Sequence, residues 1–192
     1  WVLTGGVVAA VAGTLLTTAT ADLLVPYSVA GSYLASAVLS VLALVIILML
    51  DLPRPSAEVV SGPRRSWAAL MANPRLPAAI ATAAISYSMM NRMMTGAPVA
   101  MVGCGFAPTD ASWVIQWHVL AMYVPSFFTG HLIKAYGAER IAALGMALLL
   151  AAAAAGLSGL DFDRFAVALV LLGLGWNFGF IGATTILTET YE

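Results

Sequence analysis

The chain has 192 residues, 61% of them hydrophobic and 9% charged, and its mean hydropathy is +0.95. A soluble domain carries about 25% charged residues, so this chain has too few to wet its surface, and a bilayer is its natural solvent. A formal net charge of −1 offers no field for nucleic acid, and the single cysteine, Cys104, excludes an internal disulfide framework and a cysteine-based zinc site.

A membrane helix needs about 20 mostly apolar residues, and six runs of that kind follow in order. The first, from Trp1 to about Ala21, stops at Asp22. It opens without a Met and without a basic segment ahead of it, which does not fit a signal peptide. Both chain ends are read as cuts, so further helices are expected on either side. The second run, from Tyr27 to Leu50, ends at Asp51-Leu52-Pro53-Arg54-Pro55. Residues 51–73 then form the longest polar stretch, with Arg54, Glu58, Arg64 and Arg65, and Trp67–Met71 within it is expected as a short interfacial helix.

The third run opens on Asn73-Pro74, a capping residue followed by proline at the first helical position. It reaches about Thr95, with an extension past Pro98 left open. The fourth follows Thr109-Asp110 and runs to Tyr136, with a kink expected at Pro125. The fifth spans Ala138 to Leu157, and Asp161-Phe162-Asp163-Arg164 separates it from the glycine-rich sixth, Phe165 to Leu187.

Positive charge orients the set. Arg54, Arg64, Arg65 and Arg75 lie between runs two and three, and Lys134 and Arg140 between four and five. Those two connections are expected to be cytoplasmic and the other three external. Residues 51–73 then become a cytoplasmic linker, in the inner membrane of a bacterial cell.

Polarity divides the runs further. The second and fifth carry little beyond serine and tyrosine and can face lipid. On the third, Tyr87, Ser88, Asn91, Arg92 and Thr95 fall in one sector about 140° wide, which must face protein or water. For the Ser and Thr alone, interhelical hydrogen bonding is the better explanation. A buried arginine usually marks a cavity or an ion pair, so Arg92 is the leading candidate for an anionic substrate group, with snorkelling to the interface as its alternative. On the fourth run Gln116 and His118 stand about 200° apart, so at most one of them lines a pathway. Trp113 and Trp117 read as an interfacial belt. On the sixth, Asn177, Thr184 and Thr188 share one side, while Gly175, Gly179 and Gly182 form a packing side opposite. No Walker A, HExxH, GxSxG or GxGxxG pattern is present, and the aspartates sit at run ends, so no catalytic, cofactor or metal site is expected.

The layout of two spans, a basic loop and four more spans resembles the centre of a major facilitator superfamily transporter. The segment Gly130-His131-Leu132-Ile133-Lys134-Ala135-Tyr136-Gly137 resembles the weaker copy of that family's signature loop, keeping Gly130, Leu132 and Gly137. Lys134 stands where the motif has an acid and Ala135 where it has arginine, so the charge relay is not carried over. Val114–Leu120 together with Pro125–Gly130 is similar to a bacterial subgroup without an assigned substrate. The resemblance implies an all-α protein whose six helices are spans five to ten of twelve. Residues 1–50 would close the N-terminal bundle, 51–73 link the bundles, and 74–192 open the C-terminal one. It further implies secondary transport of a small solute, with protons as a candidate coupling ion, by rocking of two bundles about a midplane site. A channel-like pore, an integral membrane transferase and a scaffold subunit are the alternatives.

Overall fold

The computed structural model describes residues 2–27, 29–51 and 66–190, and every regular element among them is helical. In chain order these are α1 (Val2–Thr20), α2 (Ala30–Leu48), α3 (Trp67–Met71), α4 (Arg75–Gly103), α5 (Pro108–Tyr123), α6 (Ser126–Tyr136), α7 (Ala138–Leu157) and α8 (Phe162–Glu189). The helix α3 forms where a short interfacial helix is expected. Arg54, Glu58, Arg64 and Arg65, on which the linker reading rests, lie outside the described residues.

Among the described residues, three helices are long and apolar enough to cross a membrane: α2, α7 and α8. The third run is one helix of 29 residues that passes through Pro98. Proline leaves only one carbonyl without its usual donor, a loss that membrane helices tolerate. The fourth run divides into α5 and α6 at Val124-Pro125, where both residues keep helical backbone angles, φ/ψ −58°/−43° and −61°/−24°, so the backbone stays helical through the kink expected at Pro125.

Local chemistry fixes the helix starts. The Asn73 side chain accepts the Arg75 N–H at 3.1 Å, and Asp161 accepts the Arg164 N–H at 3.1 Å. Before α5, Ala107 rather than Thr109 takes the cap position, and the Asp110 carboxylate reaches back to the Ala107 N–H at 3.1 Å.

The chain forms two compact units, residues 11–67 and residues 1–10 with 68–192. In the first, Gly31 and Ser32 are the buried residues of α2, and the Ser32 hydroxyl donates to the Thr17 carbonyl at 2.9 Å. In the second, α8 is the central post, packed against α4, α5 and α7. Its core is built from Leu169 and Leu172 of α8, Leu149 of α7, Met101 of α4 and Val114 of α5, each about 1% exposed or less.

Candidate substrate pathway

The seam between α7 and α8 is made by the absence of side chains. A methyl group on Gly145 would overlap the Gly179 backbone, lying 2.5 Å from its Cα. One on Gly175 would lie 2.9 Å from the Leu149 nitrogen, and one on Gly182 2.8 Å from the Ala142 nitrogen. At Gly179 the nearest atom is the Ser86 hydroxyl of α4, 2.5 Å from an added Cβ. Of the three glycines assigned to a packing side, Gly175 and Gly182 thus face backbone of α7, while Gly179 faces the Ser86 side chain of α4.

The opposite side of α8 carries a polar knot. Asn177 is fully buried. Its Nδ2 donates to the Met122 carbonyl at 2.6 Å and to the Ser126 hydroxyl at 2.5 Å. The Thr129 hydroxyl lies 2.7 Å from Asn177 Oδ1 and 2.8 Å from the Pro125 carbonyl, and its one proton serves one of those acceptors. Asn177 thus binds both sides of the kink between α5 and α6. Thr184 and Thr188 instead return their hydroxyls to carbonyls of their own helix.

His118 is fully buried on α5, with Nδ1 2.7 Å from the Leu169 carbonyl of α8. A carbonyl only accepts, so Nδ1 carries the proton and donates. His118 Nε2 is buried without a partner, as is the indole nitrogen of Trp176. Trp176 stacks on Phe180 with centroids 5.2 Å apart and planes 9° from parallel, and both rings are half-buried. Gln116 is half-buried.

On α4, Tyr87, Ser88, Asn91 and Arg92 are exposed, as is Thr95, whose hydroxyl donates to the Asn91 carbonyl at 2.8 Å. Arg92 lines a groove with residues of α7 and α8 that Tyr87, Ser88 and Asn91 do not line. The proposed pathway residues therefore fall into three places: an exposed stripe on α4, buried contacts at His118 and Asn177, and the Arg92 groove. Trp113 and Trp117 are 58% and 57% exposed, as an outward belt requires.

In the loop that resembles the signature motif, Gly137 joins α6 to α7 at φ 90°, a conformation that favours glycine. Gly130 is exposed and Leu132 half-buried. Beside it lies a cluster that sequence reasoning missed. The Arg75 guanidinium pairs with Glu139 and, at 2.8 Å, with Glu189. The starts of α4 and α7 and the end of α8 therefore share one end of the bundle, as alternating spans require. Arg75 and Glu189 are 114 positions apart, and no local signal pairs them.

These features define an all-helical integral membrane protein. The comparisons agree. The chain is 44% identical, over all of its length, to "Riboflavin transporter RfnT" of Brucella anthropi, 48% of which is covered. It is 38% identical over 53% and 54% of its length to "Uncharacterized MFS-type transporter YddS" and "Uncharacterized MFS-type transporter YdeG" of Bacillus subtilis, covering 24% and 25% of them. The chain thus spans about half the length of the first of these relatives and about a quarter of the other two. No family profile and no solved structure matches. These relatives bear out the recognition of the major facilitator superfamily in this chain.

Proposed function

We propose that the chain is the central part of a secondary transporter that moves a small solute by alternating access, and that riboflavin is the first solute to test. The observation that carries this reading is 44% identity over the whole chain to a protein named as a riboflavin transporter. On this reading the six runs are spans five to ten, residues 51–73 are the cytoplasmic linker, and the protein sits in the inner membrane. Tyr87, Ser88 and Asn91 face the solute pathway from α4. The half-buried Trp176–Phe180 stack supplies a flat face of the kind on which a conjugated ring system stacks.

The test is uptake of labelled riboflavin by cells that lack their own importer and express the full-length protein carrying this sequence. Saturable uptake above the empty vector, lowered when a protonophore collapses the proton gradient, is expected. Trp176→Ala should raise KM about tenfold, since stacking on one aromatic ring is worth about 1–3 kcal/mol. Absence of saturable uptake at normal expression removes riboflavin as the solute. Uptake indifferent to the gradient removes proton coupling.

A further inference from the structure

Arg92 stands apart from the stripe on α4 and close to the end of α7. It lies 17 positions after Arg75, the first residue of α4, which places it about 25 Å along the helix. The hydrocarbon core is about 30 Å thick, so its guanidinium reaches the outer edge of that core, where the headgroups begin. Its neighbours agree with that depth. Gly156, Leu157 and Leu160, which close α7 and lead into the Asp161 turn, line the same groove.

The groove holds about 510 Å³ and is open rather than enclosed. Met93, Gly96 and Ala100 of α4 and Phe165 of α8 complete its apolar wall. Among the described residues no carboxylate lines it, and Arg92 is the one charged residue that does. Among the described residues the Arg92 side chain makes no ion pair. The nearby Asp161 caps α8 and lies 3.7 Å from Arg164. A lone guanidinium at the head of an apolar groove, at headgroup depth, is complementary to one amphiphile that always surrounds the protein.

We propose that this groove is a binding site for an anionic phospholipid. The Arg92 fork takes the headgroup phosphate, and the apolar part of the same molecule fills the groove beside it. Gly96 leaves the room: a Cβ added there meets no atom within 4 Å. A leucine at this position fills the groove without displacing backbone, so charge and space can be removed separately.

The experiment is native mass spectrometry of the full-length protein purified with defined mixtures of phosphatidylglycerol and phosphatidylcholine. The wild type is expected to retain phosphatidylglycerol about tenfold better, the scale of one charge-assisted contact. Arg92→Gln should bring the two lipids to equal retention. Gly96→Leu should lower retention of both, and it keeps the test decisive if Arg92→Gln does not fold. Equal retention of the two lipids by the wild type overturns the proposal. So does either variant's behaving as wild type, or displacement of the lipid by inorganic phosphate, which would mark a site for a soluble anion. Riboflavin uptake is a separate measurement, so the transport reading can fail while lipid retention stands.

Discussion

The two sides of α8 hold the bundle by opposite means. Toward α7 the contact is bare backbone: a carbon added at Gly145, Gly175 or Gly182 would meet backbone of the facing helix, and the Gly179 backbone is what one at Gly145 would strike. Toward the kinked pair α5 and α6 the contact is one buried amide, Asn177, spread over Met122, Ser126 and Thr129. The hydrophobic effect contributes little between helices that are both solvated by lipid, so packing and hydrogen bonds remain as the forces available. The glycine seam fails when volume is added, and the polar knot fails when atoms are removed.

The largest effect is expected at the seam. Gly145→Leu places a side chain against the Gly179 backbone, which cannot rotate away as a side chain can. Overpacking ordinarily costs about 1–3 kcal/mol and more where the neighbour is rigid. The yield of monodisperse protein from membranes should fall to near nothing, and Gly179→Leu should follow it. Normal yield and an unchanged thermal midpoint for Gly145→Leu would break the account of this side.

Next comes the knot. Asn177→Ala removes the donor to the Met122 carbonyl and the Ser126 hydroxyl and leaves Thr129 only the Pro125 carbonyl as acceptor. Interhelical hydrogen bonds in membranes average about 0.6 kcal/mol, with about 1.7 at the top, so a loss of about 1–2 kcal/mol is expected. Because Thr129 then has one acceptor fewer to satisfy, the Asn177→Ala, Thr129→Val double variant should lose less than the sum of the singles. Strict additivity in thermal melts would show that the two side chains do not act together.

How far the sequence discloses this arrangement depends on the range of each interaction. Helix periodicity and glycine spacing are local, so the range of α7 and the packing side of α8 are legible in the order of residues. The kink at Pro125 is legible too, because proline acts on its own backbone. Asn177 reads from the sequence as a pathway residue, because it is a polar group on an apolar helix. Its partners stand 48 to 55 positions away, and nothing in the sequence names them. Gly145 is hidden for the same reason: one glycine inside an Ala/Leu helix has no local signature until Gly179 is placed against it.

His118 tests the same side of α8 with a smaller effect. Its hydrogen bond to Leu169 joins α5 to α8 without spanning the kink. His118→Phe keeps the ring and removes the donor, so the expected loss is about 0.6 kcal/mol, below that of Asn177→Ala. The full-length variant should also keep its uptake. Lost uptake with an unchanged thermal midpoint would move His118 from packing to the transport pathway.

The smallest effect is expected at the bundle end, outside both sides of the comparison. Arg75, Glu139 and Glu189 tie α4, α7 and α8 together, yet all three side chains are 44% to 56% exposed. Water and salt screen such pairs, and holding long side chains in place costs entropy that offsets much of the attraction. Arg75→Gln should therefore shift the thermal midpoint less than either interior change, and the shift should shrink as salt is raised. Arg75→Glu is the sharper probe, because it gathers three carboxylates where one cation held two. It should destabilise more than Arg75→Gln at low salt and approach it at high salt. Equal melts for the two variants at low ionic strength would show that the cluster exerts no electrostatic hold. The bundle would then rest on the seam and the knot alone.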